Sequence, residues 1–360
     1  MTSQVPSMVG GRRAVAAIAV AAAVAAAAAG RLLVKPASPE AGQVRRVAGH
    51  DGRYESWLAA MGTDVRLLVC SGSAEVAQGA VDAGVDRIRL VERSMSTYDP
   101  GSDVSRLNAD GYPGPVTLPG HVIDVLGRSV QMSLATGGAF DVTYAPLRPL
   151  WREAASSGRM PGDDEVSSAL SKVGSDRLRL LDGAAQFTVA GMAVDLGGIA
   201  KGYAIDLAVG AMLSAGAEAG LVDIGGDIRL FGRPEPSERW RVEVRRPPGF
   251  DRTVRLLLGP CAVATSGDYA RGFRVGDQWF SHIVDPRTGR PVAGAASVTV
   301  VADDATSADA LATALSVLGE REGMQLVDSL EGVECMMILR AGEGKMAVRF
   351  SGGFPEYVEG

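Results

Sequence analysis

From Trp57 onward, segments with a two-residue hydrophobic period and segments with a three-to-four-residue period follow one another without regular alternation. A doubly wound parallel sheet needs a crossover helix between successive strands, so this irregular order predicts an α+β fold. Residues 63–70 alternate as a strand. Residues 74–94 read as a helix, with Val81, Val85, Ile88, Val91 and Met95 at three- and four-residue steps. Val122, Leu126, Val130 and Leu134 mark a second helix. Strands are expected at 187–195, 221–231, 240–246, 262–265, 279–284 and 298–302. Further helices are expected at 199–214, closed by Gly216, and at 307–318, ended by Gly319. Residues 334–339 and 346–350 read as a closing hairpin across Ala341 and Gly342.

The first fifty residues have another character. Arg12 and Arg13 precede an uncharged run, 14–30, made almost wholly of Ala and Val. A charged lead and a short apolar run read as an export signal, and the paired arginines point to the twin-arginine route. Arg31 cuts the run just short of the roughly 20 residues a spanning helix needs, although Leu32, Leu33 and Val34 leave an uncleaved anchor open. Pro36, Pro39 and Gly42 give 31–53 the look of a linker. The expected organisation is a signal at 1–30, a linker at 31–53 and one folded domain at 54–355. The product then lies in the periplasm or on the outer face of the cytoplasmic membrane.

Composition excludes several functions. The net charge is −6 and only 5% of residues are aromatic, so the chain lacks both the basic field and the stacking platform of a general nucleic-acid binder. Cys70, Cys261 and Cys335 are far apart and show no metal-binding spacing, which rules out the usual zinc and iron–sulfur sites. All three lie in apolar, strand-like runs and read as small hydrophobes.

Several stretches carry chemistry. At 195–202, Asp-Leu-Gly-Gly-Ile-Ala-Lys-Gly places two glycines between a strand and a helix. Such a turn brings backbone N–H groups close to a phosphate, and Lys201 adds a cation one turn in. The same pattern also suits a plain structural turn. At 306–313, Asp309 and Thr313 share one helix face, opposite Leu311, Leu315 and Leu318. A carboxylate beside a hydroxyl suits Mg²⁺, yet Thr306-x-x-Asp309 equally fits a capping box. His282 precedes an Asp-Pro-Arg-Thr-Gly turn and is one of three histidines. Residues 136–141 form a glycine-hinged turn presenting Asp141, and 223–227 read as a strand with a glycine bulge. The Gly-x-Ser-x-Gly elbow of many hydrolases is absent.

Taken in order, Met61-Gly-Thr63, Met95-Ser-Thr-Tyr98, Ser105-Arg-Leu-Asn108, Gly137-Gly-Ala-Phe-Asp-Val-Thr143, the 195–202 stretch, Asp223-Ile-Gly-Gly-Asp227, Ala264-Thr-Ser-Gly267, the 282–289 stretch and Ala308-Asp-Ala-Leu-Ala-Thr-Ala314 closely resemble the ApbE family of FAD:protein FMN transferases. The likeness spans about 57–350. It implies a single catalytic α+β domain with a T-fold-like centre and an FAD cleft between two lobes. It further implies Mg²⁺ on Asp309, Thr313 and the Gly198 carbonyl, with Asp309 also able to cap its helix. FAD contacts fall by the same resemblance on Met61, Tyr98, Ala139, Phe140, Asp141, Asp195, Lys201 and Ile283, and His282 faces the pyrophosphate.

The implied reaction moves FMN from FAD to a Thr or Ser hydroxyl of a partner and releases AMP. The attacking hydroxyl needs a base, and His282 is the candidate, since its ordinary pKa of about 6.5 suits proton acceptance near neutrality. Two rivals share the site: an FAD pyrophosphatase using water, and a non-catalytic FAD carrier. Relatives that mainly hydrolyse FAD can differ at the position of Tyr98, so tyrosine there favours transfer. The family's acceptors carry Ser/Thr-Gly-Ala-Thr, which this chain lacks. A membrane-bound electron-transfer subunit is the expected partner.

Overall fold

Strand alternation in this chain is satisfied on two faces at once. A computed structural model describes residues 42–235, 238–268, 272–342 and 345–360; the expected export signal lies outside them. The described chain begins with β1 (Arg45–Arg46), β2 (Arg53–Ala60), β3 (Thr63–Cys70), α1 (Ala74–Met95) and α2 (Asp103–Asp110). Next come β4 (Val116–Thr117), α3 (Gly120–Ala135), α4 (Leu147–Ser157), α5 (Asp163–Leu170), β5 (Leu178–Leu181) and β6 (Ala184–Phe187). Then follow α6 (Ala200–Ser214), β7 (Ala219–Ile224), β8 (Asp227–Phe231), β9 (Trp240–Val244), β10 (Val254–Leu258) and β11 (Cys261–Gly267). Two small hairpins, β12 (Gly272–Val275) with β13 (Gln278–Ser281) and β14 (Val284–Asp285) with β15 (Arg290–Pro291), precede β16 (Ala295–Ala302). The chain closes with α7 (Ala305–Asp328), β17 (Glu334–Arg340) and β18 (Met346–Phe350).

Among the described residues, nine strands form one sheet in the order β1-β2-β3-β7-β8-β11-β16-β17-β18. Every pairing in it is antiparallel, as the α+β reading requires. Along β3, Val65, Leu67 and Val69 enter one apolar cluster while Leu68 enters another; along β16, Val298 and Val300 oppose Val301 in the same way. This is the two-residue period of a sheet buried on both sides. Val81 and Ile88 of α1, Ile205 and Ala208 of α6, and Leu311 and Leu315 of α7 fill the first cluster. Trp240 and Val242 of β9, Leu256 and Leu258 of β10, and Phe354 fill the second. A third cluster joins Leu147 and Trp151 of α4 to Val275 and Val284, with Phe273 and Phe280 packed against it.

The structure departs from the sequence reading in several places, among them the expected strand 279–284, which is split into β13 and β14 by the bend at 282–283. Residues 188–195 are not a strand, because the backbone of Val194 bonds to a side chain instead of a ladder. Asn108 accepts from Val194 N–H at 2.7 Å and donates to its carbonyl at 2.9 Å, and Met192 and Val194 are buried all the same. Residues 221–231 are two strands, β7 and β8. Gly225 and Gly226, with φ of 68° and 102°, make a tight hairpin that pairs Ile224 with Asp227, so there is no bulge. Gly319 (φ 72°, ψ −169°) interrupts the helix where the sequence ended it, but a second helical stretch, not expected, carries α7 on to Asp328. The expected linker already joins the sheet, since Arg45 and Arg46 pair with Glu55 and Tyr54.

Candidate active site

The site is built where α6 meets α7. Asp304 caps α7, its carboxylate accepting from Ser307 N–H at 2.9 Å. The Thr306–Asp309 capping box therefore does not form, and Asp309 does not cap its own helix. The Thr306 hydroxyl and N–H, and the Ala305 N–H, turn instead to Asp206 on α6. Asp206 also pairs with Arg229 at 2.6 Å. A Cβ at Gly202 would run into the Ala305 carbonyl, so glycine lets the two helices touch there.

That approach commits Asp309 to α6. Its Oδ2 accepts from Gly202 N–H at 3.1 Å and its Oδ1 from Lys201 Nζ at 3.0 Å. Lys201 also pairs with Asp227, just past the Gly225–Gly226 turn, and Asp227 accepts from Thr265 N–H at 3.1 Å. Lys201 thus sits between two carboxylates that are each only 4% exposed. Burial pushes the Asp309 carboxyl up to about 6; Lys201 works against this shift and Asp227 adds to it. Burial alone would lower the Lys201 ammonium, but Asp227 and Asp309 outweigh it and hold it above its ordinary value.

Thr313, one turn beyond Asp309, lies beside the glycine turn. A Cβ on Gly198 would stand 3.3 Å from Thr313 Oγ1 and 3.3 Å from Phe140 Cε2. The helix, the 195–202 turn and the 137–141 turn therefore converge. Among the described residues no group of three His, Cys, Asp or Glu side chains could hold a metal. A cation here would draw on the Asp309 carboxylate, the Thr313 hydroxyl and the Gly198 carbonyl. That all-oxygen set fits Mg²⁺, which takes few protein ligands when phosphates supply others.

A second group forms around Asp195. Its carboxylate accepts from Gly197 N–H at 2.8 Å, shaping the turn, and pairs with Arg148 of α4. Arg148 donates in turn to the Tyr98 hydroxyl at 3.0 Å, and its guanidinium lies 5.8 Å from the centre of the Tyr98 ring. Tyr98 is 80% exposed. Met61 occupies the β2–β3 hairpin turn with φ of 52°, and its N–H donates to Glu92 of α1 at 2.5 Å.

Ala139, Phe140 and Asp141 are all buried. The Asp141 carboxylate is spent on the fold, accepting from Thr143 N–H at 2.8 Å, Thr143 Oγ1 at 2.6 Å and Ser175 N–H at 2.9 Å. A cavity of about 310 Å³ opens beside this turn, lined by Leu134, Gly138, Asp141, Ser175 and Arg287. Arg287 belongs to the turn after His282, so the 282–289 segment reaches the 137–141 turn there. His282 is exposed on the bend between β13 and β14, and Ile283 beside it is buried.

Sequence reasoning missed Asp227, Asp206 and Arg148. Asp227 was legible in outline, as an acid following paired glycines, but its ion pair with Lys201 crosses 26 positions and leaves no periodic trace. Cys335 is buried as expected, whereas Cys70 and Cys261 are half-buried; all three are free thiols.

The sequence model of the ApbE family matches residues 61–337, and the chain belongs to that family. Among its relatives, the FAD:protein FMN transferase of Vibrio cholerae is 34% identical over 266 residues, covering 72% of this chain and 79% of that protein. The FAD:protein FMN transferase of Treponema pallidum is 31% identical over 298 residues, covering 77% and 82%. The crystal structure of the ApbE protein of Thermotoga maritima superposes with a TM-score of 0.76 at 32% identity, covering 86% of this chain and all of that one. The apo flavinyl transferase ApbE of Pseudomonas stutzeri gives 0.75 at 27% identity, covering 87% and 98%.

Proposed function

We propose that this chain transfers FMN from FAD to a hydroxyl of a partner protein and releases AMP. The observation that carries the reading is Lys201 held between Asp227 and Asp309, directly after the paired glycines of the 195–202 turn. A cation beside a glycine turn at the start of a helix suits a pyrophosphate.

In the reaction, the acceptor Thr or Ser oxygen forms a bond to the FMN phosphorus, and the bond from that phosphorus to the bridging oxygen of AMP breaks. Lys201 offsets charge gathering on the phosphates. His282, exposed on its bend, takes the proton of the attacking hydroxyl. Asp195 shapes the turn through Gly197, and Met61, Tyr98, Ala139–Asp141 and Ile283 form the rest of the FAD-binding surface. Asp309, Thr313 and the Gly198 carbonyl would hold Mg²⁺, which supplies further charge neutralisation on the phosphates when bound. The acceptor is a flavoprotein bearing Ser/Thr-Gly-Ala-Thr, in our reading a membrane-bound electron-transfer subunit. The paired arginines near the N-terminus support export to meet it.

The test mixes the chain with FAD, Mg²⁺ and an acceptor carrying that motif. The acceptor gains the mass of an FMN residue on its last Thr, AMP appears in equal amount, and chelator stops both. Changing that Thr to Val removes the nucleophile and abolishes labelling. FMN and AMP without labelled protein, across several acceptors, would make the chain a pyrophosphatase; intact FAD would make it a carrier.

A further inference from the structure

Arg148 stands at odds with its local position. It is the second residue of α4, where the positive end of the helix dipole disfavours a cation. Neither periodicity nor capping calls for arginine there. What it does have is a set of partners drawn from two separate parts of the candidate site. One amino group pairs with Asp195 and lies 3.4 Å from the Thr97 hydroxyl; the other donates to the Tyr98 hydroxyl at 3.0 Å. Its plane also lies over the Tyr98 ring at 5.8 Å.

The Asp195 end is fixed. Asp195 is 7% exposed, its backbone N–H donates to the Val142 carbonyl at 2.8 Å, and its carboxylate accepts from Gly197 N–H. The Tyr98 end is not, because its side chain is 80% exposed on the segment between α1 and α2. A rigid carboxylate therefore anchors a planar fork, and the fork holds an exposed aromatic ring. Lysine could reproduce the charge but not two divergent donors in one plane.

We propose that Arg148 is a positioning residue that ties Tyr98 to Asp195 and so sets the ring in place to receive FAD before FAD arrives. The proposal rests on the reading that FAD binds at this site. Tyr98 makes the contact; Arg148 acts through it. Holding the ring beforehand lowers the ordering cost that binding would otherwise carry.

The test is equilibrium FAD binding to the full chain, without acceptor, across a double-mutant cycle. Arg148→Ala should weaken binding about tenfold, the size expected on losing hydrogen bonds to a charged group. Arg148→Lys should recover little of it. In a Tyr98→Ala background the same Arg148→Ala change should cost no more than about twofold, because the ring it positions is gone. Additive losses would mean that Arg148 meets FAD directly and would overturn the proposal, as would full recovery by lysine. Unchanged binding in Arg148→Ala would overturn it too. A wild-type chain that fails to bind FAD would instead overturn the functional reading. Should Arg148→Ala fold poorly, Arg148→Lys and Tyr98→Phe, which removes only the accepting hydroxyl, complete the cycle.

Discussion

Asp206, in the middle of α6, accepts the Thr306 N–H at 2.9 Å and the Ala305 N–H at 3.0 Å, from residues 100 and 99 positions away in the first turn of α7. One helix thus supplies the backbone partners that the start of another would otherwise lack. The position of Asp309, one turn further on, follows from this bond as much as from its own contacts.

Asp206→Ala should therefore lower stability by about 2–4 kcal/mol, since it strips partners from Ala305 and Thr306 and leaves Arg229 uncompensated. Denaturant unfolding reads this directly. A loss under about 0.5 kcal/mol, the range of ordinary surface changes, would show that the α6–α7 junction does not depend on it.

Asp304 and Asp309 make a matched pair. Asp304→Ala removes the helix cap and should cost about 1 kcal/mol while leaving flavin transfer near wild type. Asp309→Ala should abolish Mg²⁺ binding in titration calorimetry while the chain stays folded. Retained Mg²⁺ binding in Asp309→Ala would remove the carboxylate from the ligand set.

Acidity offers an independent check on the same carboxylate. With its folded value pushed up to about 6 by burial, Asp309 holds a proton more tightly in the folded chain than in the unfolded one. The sign follows: this group contributes stability at acid pH that is lost as pH rises through about 6. Mg²⁺ binding runs the other way, needing the carboxylate, and should weaken as pH falls through about 6. Asp227→Asn takes away the neighbouring negative charge and should move that midpoint to lower pH. Calorimetric titrations between about pH 5 and 7 measure both, and a flat profile would contradict the assignment.

Export can be followed in cells. A reporter fused after residue 50 should leave the cytoplasm, and Arg12→Lys combined with Arg13→Lys should retain it. Undiminished export of the double variant would rule out the twin-arginine route.

Most helices and strands were legible because their periods report burial: Val81, Ile88 and Val91 of α1 are all fully buried, as their spacing requires. The 188–195 segment was misread because Met192 and Val194 are buried like strand residues, while the Asn108 amide, 86 positions away, replaces the ladder. Asp309 shows the same limit. Its spacing from Thr306 fits a cap, and only the close approach of Gly202 turns it toward Lys201. Motif order located the site; the bonds that orient it join residues too distant for any local pattern to record.

The missing side chain at Gly202 has a consequence for anyone wishing to redesign the protein. Even alanine would force α6 and α7 apart at the point where Asp309 is set. Retargeting to new acceptors must therefore leave that crossing untouched and draw its diversity from exposed positions such as those around Tyr98. Saturation libraries at 202 should return glycine alone, whatever acceptor is used for selection.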